Sequence, residues 1–213
     1  MSDKLMDDIY TEPADVDPDT LRNLGPLTPL AGVWEGLRGT DVHPDAEGPV
    51  EDTYLERYDL QPIDPQTNGP QLLYGLRYHV HVTRPGAIET FHDQVGYWLW
   101  EPATERVIQT LAIPRGQIAM AAGHSKPDAR RFDLSCDAES PYWGTCSNPF
   151  LHQAFRTVRF TITVIVHDDG TWSYEQDTVL RIQGRDDEFH HTDRNTLRRI
   201  AAPTPNPLMR NPG

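Results

Sequence analysis

The sequence predicts an all-β protein, an antiparallel up-and-down β-barrel of about ten strands with one short N-terminal helix. Segment after segment alternates apolar and polar residues with a period of two, which is typical of strands with one buried face. The 213 residues include 19 prolines and 15 glycines, which favour a fold with many turns. Asp169-Gly170 lies between two alternating runs and predicts a tight hairpin. A β-sandwich is the alternative that the number of strands leaves open.

The first regular element is a short helix after residue 16. Asp17 and Pro18 provide an N-cap followed by a proline in the first helical turn. Leu21, Leu24 and Leu27 follow at helical spacing, which predicts one helix or helical turn with an apolar face.

Strands then follow one another to near the end of the chain. The first lies around residues 32–37, where Trp34 stands between glycines that let neighbouring backbone approach closely. The other strands are expected at residues 50–60, 71–82, 91–101, 105–113, 116–122, 130–137, 156–166, 171–182 and 187–200. Residues 140–155 are irregular and include a candidate helical turn.

A single barrel domain is expected over residues 17–200. Residues 1–16 are acidic and predict a loosely ordered N-terminus, and residues 201–213 form a Pro-rich tail. The formal charge of −13 argues against nucleic acids and anionic membranes as partners. The sequence lacks an apolar run of about eighteen residues, so we expect no membrane-spanning segment. The acidic N-terminus has no apolar signal core, which predicts a cytoplasmic protein.

The last strand carries the main candidate site. With a period of two, one of its faces consists of Phe189, His191, Asp193, Asn195 and Leu197. The opposite face has no large apolar residue and consists of His190, Thr192, Arg194, Thr196 and Arg198. The first face begins and ends with apolar residues, so it is expected to point into the barrel. Burying three polar side chains there costs roughly 1–3 kcal/mol each unless they find partners or a ligand. The pattern therefore predicts a binding site inside the barrel, with a satisfied polar network as the alternative.

Four other side chains are candidates for the same site. His92 lies on a strand and either lines the cavity or is an ordinary strand histidine. Arg115 begins a strand, where its planar guanidinium either pairs with an anionic group such as a carboxylate or lies at the surface. Asp45, with His43, is expected on a rim loop, either gating the mouth of the barrel or solvated. Trp34 is either a barrel plug or a ligand contact.

A second arrangement on the chain suggests a metal site. His79 and His81 share a strand face with Arg77, and this face is expected to be solvated. Their spacing, together with Asp193, gives a weaker candidate for a mononuclear metal site.

Several short motifs, in order, resemble those of the nitrobindins, haem-binding β-barrels related in shape to fatty-acid-binding proteins. The entry segment LTPLAGVWEG (27–36) is similar to the Gly-x-Trp-x-Gly-x-Gly start of that family. HDQVGYW (92–98) resembles its His-x-x-x-Gly-Tyr strand, and IPRGQIAMAAG (113–123) resembles its segment of proline, one residue and glycine before a hydrophobic strand. HHTDRNTLRRI (190–200) resembles its closing strand. The resemblance covers roughly residues 26–200 in element order and implies a calycin-like barrel.

The chain departs from the family pattern at three places. After Gly36 it has Leu37-Arg38-Gly39, which displaces the third glycine of the entry motif. It has His43-Pro44-Asp45 where the family has Tyr-Pro-Thr. An ungapped match of the last strand places Thr192 at the position of the family's axial ligand. A single-residue bulge would place His191 there, and a slip of two residues would place His190 there.

The resemblance implies a function in reactive nitrogen chemistry. It implies haem b in the barrel, held by His191 as the proximal ligand of ferric iron, with His190 as the alternative ligand. A group on the other ring nitrogen would fix the tautomer, and Asp193, Asn195 or a backbone carbonyl is expected to supply it. The family activity would be binding of nitric oxide and isomerisation of peroxynitrite to nitrate, which makes a peroxynitrite isomerase a candidate enzyme. His92, Arg115, Asp45 and Trp34 are expected to complete the cofactor pocket.

A second function remains open from the residues themselves. A haem-free barrel with the same polar face would carry or sense a small apolar or amphipathic ligand inside the cell. Its polar anchors would be His191, Asp193 and Asn195. In either case the expected partner is a small molecule, and a homodimer is the oligomer left open.

Overall fold

The protein is a closed antiparallel β-barrel, and the computed structural model describes residues 8–210. The strands of the described chain are β1 (Gly32–Asp45), β2 (Gly48–Pro62), β3 (Gln66–Asn68), β4 (Gln71–Thr83), β5 (Thr90–Glu101), β6 (Arg106–Ile113), β7 (Gln117–His124), β8 (Arg131–Asp137), β9 (Thr145–Ser147), β10 (Phe155–Val166), β11 (Trp172–Ile182) and β12 (Phe189–Ala201). The predicted strands are confirmed, most of them to within two residues at each end.

Ten strands form the barrel wall in the order β2-β1-β12-β11-β10-β8-β7-β6-β5-β4. Pairing of β2 with β4, for example Tyr58 opposite Val80, closes the ring. The short strand β3 pairs with β4, and β9 pairs with β7. Closure of the sheet decides between the two predicted architectures, because the two sheets of a sandwich would remain open at their edges.

Short helices cap one end of the barrel. The helix α1 (Thr20–Asn23) begins after Asp19, whose carboxylate accepts a hydrogen bond from the backbone N–H of Arg22. A 3₁₀ helix, Gly25–Leu30, follows directly, and its leucines are fully buried. The predicted helix is therefore present as two short pieces. The other helices of the described chain are a 3₁₀ turn at Pro102–Thr104, α2 (Pro149–Ala154) and α3 (Pro207–Arg210).

The core below the cavity is rich in aromatic side chains. Trp34 and Trp172 pack edge to face with ring centroids 6.0 Å apart, and Tyr58 packs on Trp172 at 5.5 Å. The indole N–H of Trp34 donates to the carbonyl of Leu30 at 2.7 Å. Arg199 covers this end from outside, 4.6 Å above the Trp34 ring. These contacts fill the capped end of the barrel, and Tyr58 and Trp172 also line the cavity above it.

The first strand is longer than the sequence predicts. It continues from Gly32 to Asp45, with a shift of register against β2 between Gly36 and Gly39. The bulge interrupts the alternation of apolar residues and leaves Leu37 exposed, which explains why the pattern predicts only residues 32–37. After the bulge, the strand brings a new set of side chains to the interior.

The segment after the last strand packs against the start of the domain. Asn206 is fully buried; its amide N–H groups donate to the Pro18 carbonyl at 2.9 Å and to Asp64 at 2.7 Å. The division into a barrel domain with loosely ordered ends stays a prediction, and its residues 1–7 and 211–213 lie outside the described residues. None of the helices described is long and apolar enough to cross a lipid bilayer.

Candidate functional site

A cavity of about 720 Å³ occupies the barrel interior. Its walls are largely apolar and include Val80, Val82, Leu111, Phe160, Ile162 and Leu180. It extends to a mouth lined by Arg115 and Phe150, both exposed. The volume lies within the roughly 300–1,000 Å³ typical of cavities for small molecules and cofactors.

The two predicted faces of the last strand are confirmed. Asn195 and Leu197 of β12 are buried, while the alternate residues from His190 to Arg198 are exposed. His191 and Asp193 line the cavity. Alternation along β12 therefore suffices to bring an imidazole and a carboxylate to the interior wall.

A buried carboxylate holds the ring of His191. Asp41 on β1 lies with Oδ1 2.7 Å from Nε2 of His191 and with Oδ2 2.7 Å from Nδ1 of His43. Among the described residues, Nδ1 of His191 has no hydrogen-bond partner. Burial alone would raise the pKa of Asp41, but the hydrogen bonds and charges of the two histidines outweigh it and lower that pKa. Asp41 is therefore held ionised between two imidazoles.

Two phenols and a second carboxylate form a network deeper in the cavity. The Tyr54 hydroxyl donates to Oδ1 of Asp193 and lies 2.8 Å from the Tyr174 hydroxyl. Gln176 donates to the other oxygen of Asp193 at 2.9 Å. Burial, opposed by the Tyr54 hydrogen bond, raises the pKa of Asp193 to about 6. Burial also raises the pKa of Tyr54, so its phenol stays protonated.

Glu56 completes the network from strand β2. Its Oε2 accepts hydrogen bonds from Tyr174 at 3.0 Å and from Asn195 at 2.9 Å. No Lys, Arg or His in the described part of the chain forms an ion pair with it. Burial and the neighbouring charge of Asp193 raise the pKa of Glu56 to about 8. The side chain is therefore mostly a neutral acid at pH 7, able to donate a hydrogen bond.

Two of the other predicted residues line the cavity. His92 does so, and burial, with a smaller effect of Arg115, lowers its pKa and favours the neutral imidazole. Arg115 is exposed at the mouth, where its guanidinium donates to the Phe91 carbonyl at 3.4 Å. Arg115 is therefore a surface residue at the edge of the cavity, and its pairing with an anionic group stays a prediction.

Four expected site residues lie elsewhere. His190 points outward and pairs with Asp177 at 2.7 Å, because it belongs to the outer face of β12. Asn195 faces inward but lies beneath the cavity, where it is bonded to Glu56. Asp45 lies exposed at the end of β1 rather than on a loop, and its carbonyl accepts from Arg185. Trp34 is a plug of the capped end rather than a cavity wall.

Two further expectations are corrected. The residue on the second nitrogen of His191 is Asp41, not Asp193, Asn195 or a carbonyl. His79 and His81 lie on the outer face of β4, paired with Asp93 and Thr90, so they do not join Asp193. No group of three or more His, Cys, Asp or Glu residues in the described chain is arranged to hold a metal ion. The mononuclear metal site is therefore wrong.

Several residues of the site are absent from the predicted set. Tyr54 and Glu56 share an inward face of β2 with Tyr58. A carboxylate on this otherwise apolar face is the sequence signal that could have identified Glu56 as a site residue. Asp41 had no such signal, because the bulge in β1 disrupts the alternation before it. Tyr174 alternates with Trp172 on β11 and reads from sequence as ordinary core.

Comparison with known proteins assigns the family. The model of the THAP4-like, heme-binding beta-barrel domain matches residues 23–199. The chain belongs to this family, the nitrobindin family. The crystal structure of Rv2717c from M. tuberculosis is similar, with 22% identity, a TM-score of 0.59, and coverage of 87% of this chain and 99% of that one. At this identity the match shows the fold, a barrel shared over nearly the whole length.

Other comparisons add little. A beta-barrel-like protein of domain of unknown function DUF1849 from Brucella abortus matches with 9% identity, covering 79% of this chain and 97% of that one. Its TM-score of 0.25 carries no argument. No curated protein matches the sequence. The resemblance to the nitrobindins is thus confirmed by the family match and by the closed barrel.

The residues of this nitrobindin-family barrel fit a haem group. A histidine on a cavity wall, with one nitrogen held by a carboxylate and the other without a partner, is the donor arrangement of metal-ligating histidines. The apolar walls suit a macrocycle, and the arginine at the mouth suits its anionic edge. The homodimer left open by the sequence stays untested.

Proposed function

We propose that the cavity binds haem b, with His191 as the axial ligand of ferric iron. The observation that carries the proposal is the His191–Asp41 pair on the wall of a largely apolar cavity, in a chain of a haem-binding family. A neutral imidazole is the ligating form, and a carboxylate on one nitrogen fixes which nitrogen carries the proton.

The other residues of the cavity bind and shield the group. Arg115 at the mouth has a planar fork of donors that matches a propionate carboxylate. The apolar side chains on the walls exclude water, which strengthens electrostatic interactions inside the cavity. His92 is neutral and lines the cavity, where it can accept or donate one hydrogen bond to a bound molecule.

The proposed activity is nitric oxide binding and isomerisation of peroxynitrite to nitrate. When bound, ferric haem would supply an open iron position at which these species react. Isomerisation of peroxynitrite to nitrate moves one oxygen atom within the same ion and needs no external electron. The protein residues therefore have to hold the reactant and exclude water rather than deliver electrons.

A second candidate function rests on the polar network. Glu56 and Asp193 offer hydrogen-bonding groups below apolar walls, an arrangement that also suits the polar head of an amphipathic ligand. In this alternative the barrel is a haem-free carrier or sensor. The two functions differ in whether purified protein binds hemin.

Titration of the purified protein with hemin tests the first function. We expect a Soret band that saturates at one hemin per chain and that is lost or strongly altered in His191→Ala. His190→Ala is the matched control, because the neighbouring histidine lies outside the barrel and its loss should leave the spectrum unchanged. Protein that stays colourless would contradict haem binding and favour the carrier. A full spectrum in His191→Ala would instead transfer the ligand role to His92.

Stopped-flow mixing with peroxynitrite tests the activity. Hemin-loaded protein should speed peroxynitrite decay and raise the yield of nitrate over nitrite, and loaded His191→Ala should not. If peroxynitrite decays at the same rate with hemin-loaded protein as with buffer, the isomerase activity is contradicted and only haem binding remains of the proposed function.

A further inference from the structure

We propose that the floor of the barrel cavity is a second binding site, which takes the hydroxyl group of an uncharged apolar molecule such as a long-chain alcohol. The cavity floor consists of four side chains that line the cavity, Tyr58, Trp98, Gln109 and Trp172. This site goes beyond the proposed functions, because they use residues nearer the mouth.

Two buried polar atoms at the cavity floor lack a partner. Trp172 is 1% exposed and Gln109 is 2% exposed. Within the described part of the chain, neither the indole N–H of Trp172 nor Oε1 of Gln109 forms a hydrogen bond. The indole can only donate and the carbonyl oxygen can only accept. Because a buried polar group without a partner costs free energy, the pair indicates a bound molecule that accepts from one and donates to the other.

The two unpaired groups lie around one aromatic ring. The ring centroid of Tyr58 is 5.5 Å from that of Trp172. Burial raises the pKa of Tyr58 well above its usual value, and the Gln109 amide, close to the same hydroxyl, partly opposes that rise. The indole N–H of Trp98 donates to this hydroxyl at 2.8 Å and is therefore satisfied, unlike that of Trp172. Tyr58 thus brings the unpaired donor and the unpaired acceptor to the same end of the cavity.

The cavity floor lies at the opposite end of the barrel from His191. Trp172 pairs with Leu197 across β11 and β12, and Leu197 lies six residues after His191. At about 3.3 Å per residue of strand, the two backbone positions are about 20 Å apart. On β5, Trp98 likewise lies six residues after His92. A molecule bound at the cavity floor is therefore held by residues outside the proposed axial-ligand site.

The distribution of charge selects an uncharged ligand. The cavity-lining side chains that can carry a positive charge lie toward the mouth and are His43, His92, Arg115 and His191. An anionic head group at the cavity floor would lie without a cation, beside Glu56, the preceding inward residue of β2. An ammonium group has no acceptor for the Trp172 N–H. A hydroxyl group both donates and accepts, so it can pair with Gln109 and Trp172 without bringing a charge into the cavity.

The rest of the cavity suits the apolar part of such a molecule. Above the cavity floor, the walls include Leu111, Phe160 and Ile162. A water molecule could bond to both unpaired groups, but it would leave the apolar space above it unfilled. A ligand that replaces this water gains the burial of its apolar chain in addition to the same two hydrogen bonds. An alcohol therefore has an advantage over water at this site.

Two isomeric probes test the site in the full-length protein without added hemin. The first, n-octanol, carries a hydroxyl group, whereas methyl n-heptyl ether has the same atoms and can only accept a hydrogen bond. In ¹⁵N-labelled protein, n-octanol should move the indole N–H resonance of Trp172, assigned with Trp172→Phe, downfield in a saturable way. The ether should bind roughly 5- to 150-fold more weakly, because it leaves the Gln109 carbonyl unpaired. Burial of apolar surface alone would favour the ether, which is the less polar isomer.

Gln109→Met tests the acceptor, since methionine has a similar length and no carbonyl group. It should lower the affinity for n-octanol to that for the ether and leave the affinity for the ether nearly unchanged. Gln94→Met is the matched control. Gln94 also lines the cavity, but its amide is paired within the protein, donating to Tyr78 at 2.7 Å and lying 3.4 Å from His92. This variant should keep the preference for n-octanol. If Gln109→Met does not fold, the two isomers in wild-type protein decide the question by themselves.

Three results would overturn the inference. If neither isomer moves the Trp172 resonance, the cavity floor binds no ligand of this class. Equal affinity for the two isomers would show that the unpaired groups are satisfied by water only. Equal binding of n-octanoate and n-octanol at this resonance would overturn the choice of an uncharged head group, since the anion should bind at least about tenfold more weakly. Hemin titration of the same protein reports on His191 and not on the cavity floor, so failure of haem binding and failure of this site are distinguishable.

Discussion

Replacing Glu56 by glutamine should make the protein more stable above neutral pH. Glu56 is 4% exposed, and its Oε2 accepts hydrogen bonds from Tyr174 and Asn195. A glutamine carbonyl can accept both bonds, and the amide group can donate where the neutral acid carries its proton. The substitution therefore keeps the network of the wild type and removes the possibility of burying a charge.

The magnitude follows from the pKa of Glu56. In the folded protein it is about 8, against 4.5 for an ordinary glutamate, because burial and the charge of Asp193 disfavour ionisation. Between these values the folded state keeps a proton that the unfolded state releases, so stability falls as the pH rises from 4.5 toward 8. At about 1.4 kcal/mol per pH unit, the loss by pH 7 is roughly 3 kcal/mol.

Urea unfolding of wild type and Glu56→Gln at pH 5, 7 and 8.5 measures the effect. The two proteins should differ by less than about 1 kcal/mol at pH 5, and the variant should be more stable by a few kcal/mol at pH 8.5. Glu175→Gln, an exposed substitution on β11 beside Tyr174, is the control and should follow the wild type. Parallel pH profiles for wild type and Glu56→Gln would refute the buried neutral carboxyl.

Two other substitutions test the packing around the site. Asn206→Ala should lower the unfolding free energy by about 1–3 kcal/mol, because it removes the hydrogen bonds that a fully buried amide makes with Thr20, the Pro18 carbonyl and Asp64. Exposed Asn68→Ala should have little effect in the same urea titration. Gly39→Ala should destabilise by about 1–3 kcal/mol, because the new Cβ would overlap the ring of Tyr54. Unchanged near-UV circular dichroism and stability in Gly39→Ala would show that the ring can move aside without loss.

The strands and the faces of β12 follow from local periodicity. His191 could be assigned to the interior because its face of the strand begins with Phe189 and ends with Leu197, whereas the opposite face has no large apolar residue. The same rule excluded His190, although the family resemblance had kept it as an alternative ligand. Side chains on a strand alternate whatever the rest of the fold does, so this part of the site needs no tertiary information.

The partners of His191 required the register between distant strands. Asp41 and His191 are 150 residues apart, and the bulge in β1 decides which residues of that strand face inward. One residue more or fewer in the bulge would turn Asp41 outward. Glu56 was visible as an acid on an apolar face of β2, but its neighbours Tyr174 and Asn195 come from strands far along the chain.

The amino-acid sequence by itself determined that this protein is built of antiparallel strands and that an imidazole and a carboxylate share the inward face of the last strand. Only the tertiary structure decided that the sheet closes, that Asp41 holds His191, and that Glu56 is a neutral acid. The physical reason is the sequence separation of the interacting residues. Alternation is a property of neighbouring residues, whereas closure of the sheet, hydrogen-bond partners and burial depend on how strands far apart in sequence align.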